Sequence, residues 1–139
     1  VNESKRLHQT IMNIDIGGGT SNIAIASNGQ VLSTSCINVG GRLLGINQDF
    51  TIWRIDPPTE WIMQALGLQY SLGDIITEED VLAITKEYAK ALFEAIQGPV
   101  TSPIAKMLMM TNDIDISKPI EKYSFSNAIK ASPNRPTDL

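Results

Sequence analysis

The sequence has one cysteine, one histidine and no cluster of basic residues, and each scarcity removes a class of function. A single cysteine closes no internal disulfide and builds no cysteine-rich zinc site. Cys36 sits inside an apolar run and reads as a small buried strand residue. The one histidine, His8, lies in a polar leader, so a mechanism built on a histidine base has a weak start. Eleven Lys and Arg stand against 15 Asp and Glu, for a net charge of −4 and a pI near 4.9. Without a basic patch there is no electrostatic footprint for nucleic acid. No apolar stretch approaches the roughly 20 residues of a membrane span. The start, VNESKRLHQT, has no hydrophobic core behind its basic residues, so no signal peptide is visible. Cytoplasm is the expected location, with neither nucleic acid nor membrane among the expected partners. The valine start is what a piece excised from a longer protein would show.

What remains is ordinary globular composition: 139 residues, 42 % hydrophobic and 19 % charged. That length fits one domain with a real core. Strands are expected at 11–16, 22–27 and 30–38, the last two joined by Asn28-Gly29, a turn whose two residues both need positive φ. Tight turns between consecutive strands give a three-stranded antiparallel meander. Gly40-Gly41 ends the third strand. Leu43 to Asn47 and Thr51 to Ile55 form a second hairpin around Gln48-Asp49, with a helix starting at Arg42 as the competing reading. Pro57-Pro58 stops what precedes it, and a short helix follows over Thr59 to Leu66.

The strongest helix opens at Thr77, where Asp80 three residues on resembles the reciprocal residue of a capping box. Val81, Thr85, Tyr88, Leu92 and Ile96 form its expected apolar stripe, flanked by Leu82, Ala89 and Phe93. Gly98-Pro99 stops it. A third helical piece runs from Pro103 to Met110, and Glu121 to Ser126 reads as a closing strand. The expected organisation is a leader over 1–10, a domain over 11–126 and a flexible tail over 127–139. Strands followed by helices around a closing strand indicate α+β or a mixed-sheet α/β fold.

Residues 14 to 22 read IDIGGGTSN. A P-loop needs a terminal lysine and a following helix, and both are missing. The dinucleotide fingerprint lacks its third glycine and its helix. A strand–turn–strand loop needs neither: free amides at a tight turn form an anion-binding concavity. Gly17, Gly18 and Gly19 let a phosphate approach the backbone, and Thr20 adds a hydroxyl. Asp15, at the strand end, is placed to hold Mg²⁺ through water. A glycine-rich turn that binds nothing is the alternative.

IDIGGGTSNIAI resembles the second phosphate motif of the actin-like ATPase superfamily, which opens the second of two ribonuclease-H-like domains. NIDIGGGTSNIAI, the Asn-Gly turn and CINVGGRLLGI together resemble the ethanolamine ammonia-lyase reactivating factors of ethanolamine-utilising bacteria. TEWIMQALGL, the capped helix and EKYSFS follow the same order, so the resemblance covers roughly residues 10 to 126, with its specific part at 13 to 45. It implies an α/β, actin-like ATPase fold and a chaperone that uses ATP and Mg²⁺ to release damaged cobalamin from the adenosylcobalamin-dependent lyase. It further implies that Asp15 is the catalytic and magnesium-side carboxylate, and that Gly17, Gly18, Gly19 and Thr20 cradle phosphate. Gly40-Gly41 resembles a pair that closes the subdomain near the nucleotide; a strand terminator needing positive φ is the equal alternative.

Two departures stand out. Many superfamily members carry an acidic residue where Asn22 stands, and a glycine pair belongs after Ser126, where Asn127-Ala128 follows. With the first phosphate motif also missing, the chain carries one of three nucleotide contacts. Phosphoryl transfer needs groups on both sides of the γ-phosphate, so the chain alone is expected to have no useful ATPase activity. The competing functions are an actin-like scaffold, filament or cell-division ATPase domain, and an interaction domain that kept the fold without the nucleotide. Trp53 and Trp61 read as packing residues, and Met107, Met109 and Met110 as fillers of a buried face. Asp113 and Asp115 read as solvated loop residues.

Overall fold

The computed structural model describes residues 9–127 and 137–138. The expected leader and tail fall almost wholly outside the described residues. Strands β1 (Thr10–Ile16), β2 (Ser21–Ser27) and β3 (Gln30–Ile37) form the antiparallel meander. Asn28 and Gly29 turn between β2 and β3 with φ of 54° and 78°, the two positive values that a primed two-residue turn requires. The second hairpin is present as β4 (Leu44–Ile46) and β5 (Ile52–Ile55), and no helix starts at Arg42.

Helices α1 (Pro57–Leu66), α2 (Glu78–Gln97) and α3 (Pro103–Leu108) follow. The chain then returns as β6 (Lys122–Asn127), parallel to β1, and a two-residue strand β7 (Thr137–Asp138) pairs with β4. The sheets run β3-β2-β1-β6 and β5-β4-β7. One parallel neighbour in an otherwise antiparallel sheet makes this an α/β fold with a mixed sheet. A parallel pair needs a long crossover, and the second hairpin and the three helices named above lie within it.

The meander's alternation sorts its two faces. Met12, Ile14, Ile23, Ile25 and Ile37 are buried, and they join Leu44, Ile52, Ile62, Ile84 and Leu108 in one core. Asn13, Asn22 and Thr34 face outward, and Asp15 shares their side of β1.

Several expectations need correction. Pro57 and Pro58 do not precede α1 but form its first turn, where the missing amide costs nothing and φ is already helical. On α2 the buried residues are Val81, Ile84, Tyr88, Ala91 and Ala95, while Thr85, Leu82 and Phe93 are exposed. The buried face includes two alanines, which count little in a hydrophobic stripe yet let a neighbouring helix come close. Met107 and Met110 are exposed: Met107 lies on α3 away from the buried Ala105 and Leu108, and Met110 lies beyond the helix end at Leu108. Cys36 is half-buried, on the same side as Asn22, with its Sγ 3.6 Å from Met110 Sδ. The Thr77 side chain caps α2 by accepting from the Asp80 amide at 3.1 Å. Asp80 does not complete a capping box; its carboxylate accepts from the Tyr70 hydroxyl instead.

At the α2–α3 junction one carboxylate gathers several donors. Glu94 accepts from the Thr101 and Ser102 amides at 2.9 and 3.0 Å and from the Ser102 hydroxyl at 2.6 Å. These donors, the Ser102 hydroxyl foremost, hold its pKa at about 2 against an ordinary 4.5. A depressed folded-state pKa contributes stability that is complete above the unfolded value and disappears as pH falls through the folded one. Glu94→Gln is therefore expected to lower stability at pH 7, with the difference from wild type narrowing between pH 4.5 and about 2. Urea denaturation across that range checks it; a constant difference at every pH would refute the carboxylate's role.

Candidate functional site

The glycine run is the tip of the β1–β2 hairpin. Ile16 pairs with Ser21, and the Gly17 amide donates to the Thr20 carbonyl at 2.8 Å. None of the three glycines has positive φ, unlike Gly29, Gly67, Gly73 and Gly98. Positive φ therefore does not explain their residue type. A Cβ on Gly17 would stand 3.2 Å from the Thr20 carbonyl oxygen, and one on Gly18 would rest 3.6 Å from Arg42 Cδ. A Cβ on Gly19 would meet nothing within 4 Å. Neither backbone conformation nor a protein neighbour calls for glycine at 19, so its bare backbone lies open to a group from outside. Among the described residues, the amides of Gly18, Gly19 and Thr20 and the Thr20 hydroxyl have no hydrogen-bond partner. Consecutive free amides at a turn are the composition of an anion nest.

Gly40-Gly41 is brought against this loop. The Gly41 amide donates to the Gly17 carbonyl at 3.1 Å, and the Arg42 amide to the Gly18 carbonyl at 2.8 Å. Neither Gly40 nor Gly41 is at positive φ, which overturns the strand-terminator reading. A Cβ on Gly40 would lie 2.4 Å from the Gly18 oxygen and 2.8 Å from the Gly17 oxygen. Glycine is needed there because two backbones touch. The buried Ser21 hydroxyl adds a 2.6 Å bond to the Val39 carbonyl, so hairpin tip and glycine pair form one unit.

Asp15 lies one residue inside the end of β1, half-buried. Its β2 neighbour is Asn22, which brings no charge, and its β6 neighbour is Ser126. The Ser126 hydroxyl donates to Asp15 Oδ1 at 3.0 Å, and Ser124 repeats the pattern with Asn13 Oδ1 at 2.8 Å. The second carboxylate oxygen of Asp15 has no hydrogen-bond partner among the described residues. The structure thus gathers Asp15, the three glycines, Thr20 and the Gly40-Gly41 pair at one end of the meander. Sequence reasoning missed the Ser126 contact, which needs the parallel return of β6, and missed Arg42 over Gly18. The one available signal for Arg42 was its place directly after the glycine pair.

Beside the unit, Ile16, Gly40, Gly41, Tyr88, Leu92 and Asn127 help to line a largely apolar cleft of about 290 Å³. Asn127, where a glycine pair was expected, is the last residue of β6. Asp113 accepts from the Val100 amide at 3.2 Å, a loop-tying role. Among the described residues no three His, Cys, Asp or Glu side chains come together as a metal site, and no helix is long and apolar enough to cross a membrane.

The family model described as "Ethanolamine utilisation protein EutA" matches residues 1–134. The chain belongs to the EutA family. The ethanolamine ammonia-lyase reactivase EutA of Escherichia coli (strain K12) is 34 % identical over 101 residues, covering 73 % of this chain and 21 % of that protein. The protein of the same description from Salmonella typhimurium is 30 % identical over 129 residues, 92 % of this chain and 27 % of its own length. The chain thus spans about a quarter of the EutA relatives it matches. Both relatives are named as reactivases of ethanolamine ammonia-lyase.

Proposed function

We propose that this chain is the part of a EutA-type reactivating factor that holds the phosphates of ATP or ADP, in a protein that releases damaged cobalamin from ethanolamine ammonia-lyase. The observation that carries the reading is the row of unpartnered amides at Gly18, Gly19 and Thr20, beside Asp15. In this reading the amides and the Thr20 hydroxyl donate to phosphate oxygens, and the open backbone at Gly19 admits them at van der Waals distance. Mg²⁺ suits Asp15 in one way only. A lone carboxylate is a sufficient protein contribution when phosphate and water complete the octahedron. The ion would neutralise charge on the phosphates; the residues would hold and orient them. An actin-like ATPase architecture, with this hairpin facing a second domain, is part of the proposal. So is the absence of useful hydrolysis by the chain alone, because positioning from one side leaves the γ-phosphate largely in water.

The test is a titration of the ¹⁵N-labelled chain with Mg-ATP and Mg-ADP, followed by the amide resonances of residues 17–22. Movement confined to Gly18, Gly19 and Thr20 is expected. Gly19→Val should abolish it, and Asp15→Ala should weaken it in magnesium but not in EDTA. Unmoved resonances at saturating nucleotide would sink the phosphate reading. They would leave the nucleotide-free interaction domain, which Asn22 and Asn127 favour.

A further inference from the structure

We infer that Arg42 is a further phosphate-contacting residue of this site, placing a guanidinium on the oxygens of a di- or triphosphate seated in the glycine hairpin. The inference rests on the phosphate reading above. Its own support is the placement of the Arg42 side chain. The Arg42 amide is fixed to the Gly18 carbonyl at 2.8 Å, and its stem runs along the side of Gly18 where a Cβ would stand. Arg42 Cβ, Cγ and Cδ lie 3.9, 3.8 and 3.6 Å from where a Gly18 Cβ would stand. The stem thus lies alongside the loop at van der Waals distance, close enough to carry the guanidinium to a group seated there. The contact of Gly40 with Gly17 and Gly18 fixes the segment that carries Arg42 against the loop, so the cation comes with the cradle.

Charge bookkeeping supports the assignment. From Asp15 through Asn22 the hairpin tip carries one negative charge, Asp15, because the position opposite it is Asn22. A polyphosphate brings several negative charges, and one carboxylate-bound cation leaves most of them uncompensated. A guanidinium is always protonated and presents a planar fork of donors that matches two phosphate oxygens at once. A lysine at the same place would supply charge without the fork.

The probe is inorganic pyrophosphate, titrated into the whole chain and read from the Gly18, Gly19 and Thr20 amides. Arg42→Met keeps the stem and removes the charge; it is expected to weaken binding by about tenfold and to flatten its dependence on salt. Arg42→Lys should fall between the two and retain the salt dependence. Urea denaturation shows whether either variant has lost the fold, and Arg42→Lys decides if Arg42→Met does. Arg42→Met binding like wild type, while Gly19→Val does not bind, would overturn the inference and leave the hairpin reading intact. A wild-type chain indifferent to pyrophosphate would overturn both.

Discussion

Gly40→Ala is expected to destabilise the fold by about 3 kcal/mol, the top of the usual range for forcing a methyl group into packed structure. The size follows from what the new atom meets. Its nearest neighbours at 2.4, 2.6 and 2.8 Å are the Gly18 oxygen, the Gly18 carbonyl carbon and the Gly17 oxygen, all main chain. A flexible side chain would swing away; a hairpin tip held by the Gly41–Gly17 and Arg42–Gly18 bonds has to move as a piece. Gly19→Ala is the matched control. It meets nothing within 4 Å at a φ open to any residue, so its effect on stability should stay within about 0.5 kcal/mol. Urea denaturation of both variants measures the contrast. The Gly17 and Gly18 amide resonances should shift in the first and stay in place in the second. Equal stabilities would mean that the glycine pair does not touch the hairpin as described.

Thr59→Val should cost about 2–3 kcal/mol although it replaces one β-branched side chain with another of nearly the same shape. Thr59 is fully buried at the start of α1. Its hydroxyl donates to the Leu43 carbonyl at 2.6 Å and stands 2.7 Å from the Tyr88 hydroxyl, which then donates to it. One oxygen thereby ties the chain entering β4, α1 and the middle of α2. Leu43 keeps a second donor, the Asp56 amide at 3.0 Å. Among the described residues the Tyr88 hydroxyl has no other partner, and burial pushes its pKa far above the ordinary tyrosine value. It stays a neutral donor that valine would leave unsatisfied in the interior. Removing that hydroxyl as well, in Thr59→Val/Tyr88→Phe, should recover part of the loss. A double-mutant cycle is expected to show a coupling of about 1 kcal/mol. Strict additivity of the two single changes would place the cost in packing rather than in the shared hydrogen bond.

Local signals made much of this legible. The Asn28-Gly29 turn, the meander it joins and the cap at Thr77 each depend on residues within a few positions of one another, and the structure agrees with all three. The second hairpin turns between residues 47 and 51 as expected, but its positive-φ residue is Phe50, at 67°. A phenylalanine gives no local sign of that conformation; the core that takes its ring and the bond from the Ile76 amide to its carbonyl do. The buried face of α2 departs from the expected stripe for a like reason. Hydrophobicity ranks Leu82 and Phe93 above Ala91 and Ala95, whereas close helix approach favours the alanines.

The sequence by itself determined the hairpin tip: a strand-ending Asp15, three glycines and Thr20 in a run that only a turn accommodates. It also determined the family, since order and spacing along the chain carry that resemblance. The tertiary structure alone decided what the glycines at this end of the sheet lie against. Gly17 clears the Thr20 carbonyl, Gly18 rests in ordinary contact with the Arg42 stem, Gly40 touches the hairpin backbone, and of the three in the run only Gly19 faces open space. It also decided that Ser126 orients Asp15, across 111 residues. A residue's type records that room is needed; only the folded chain shows which neighbour needs it.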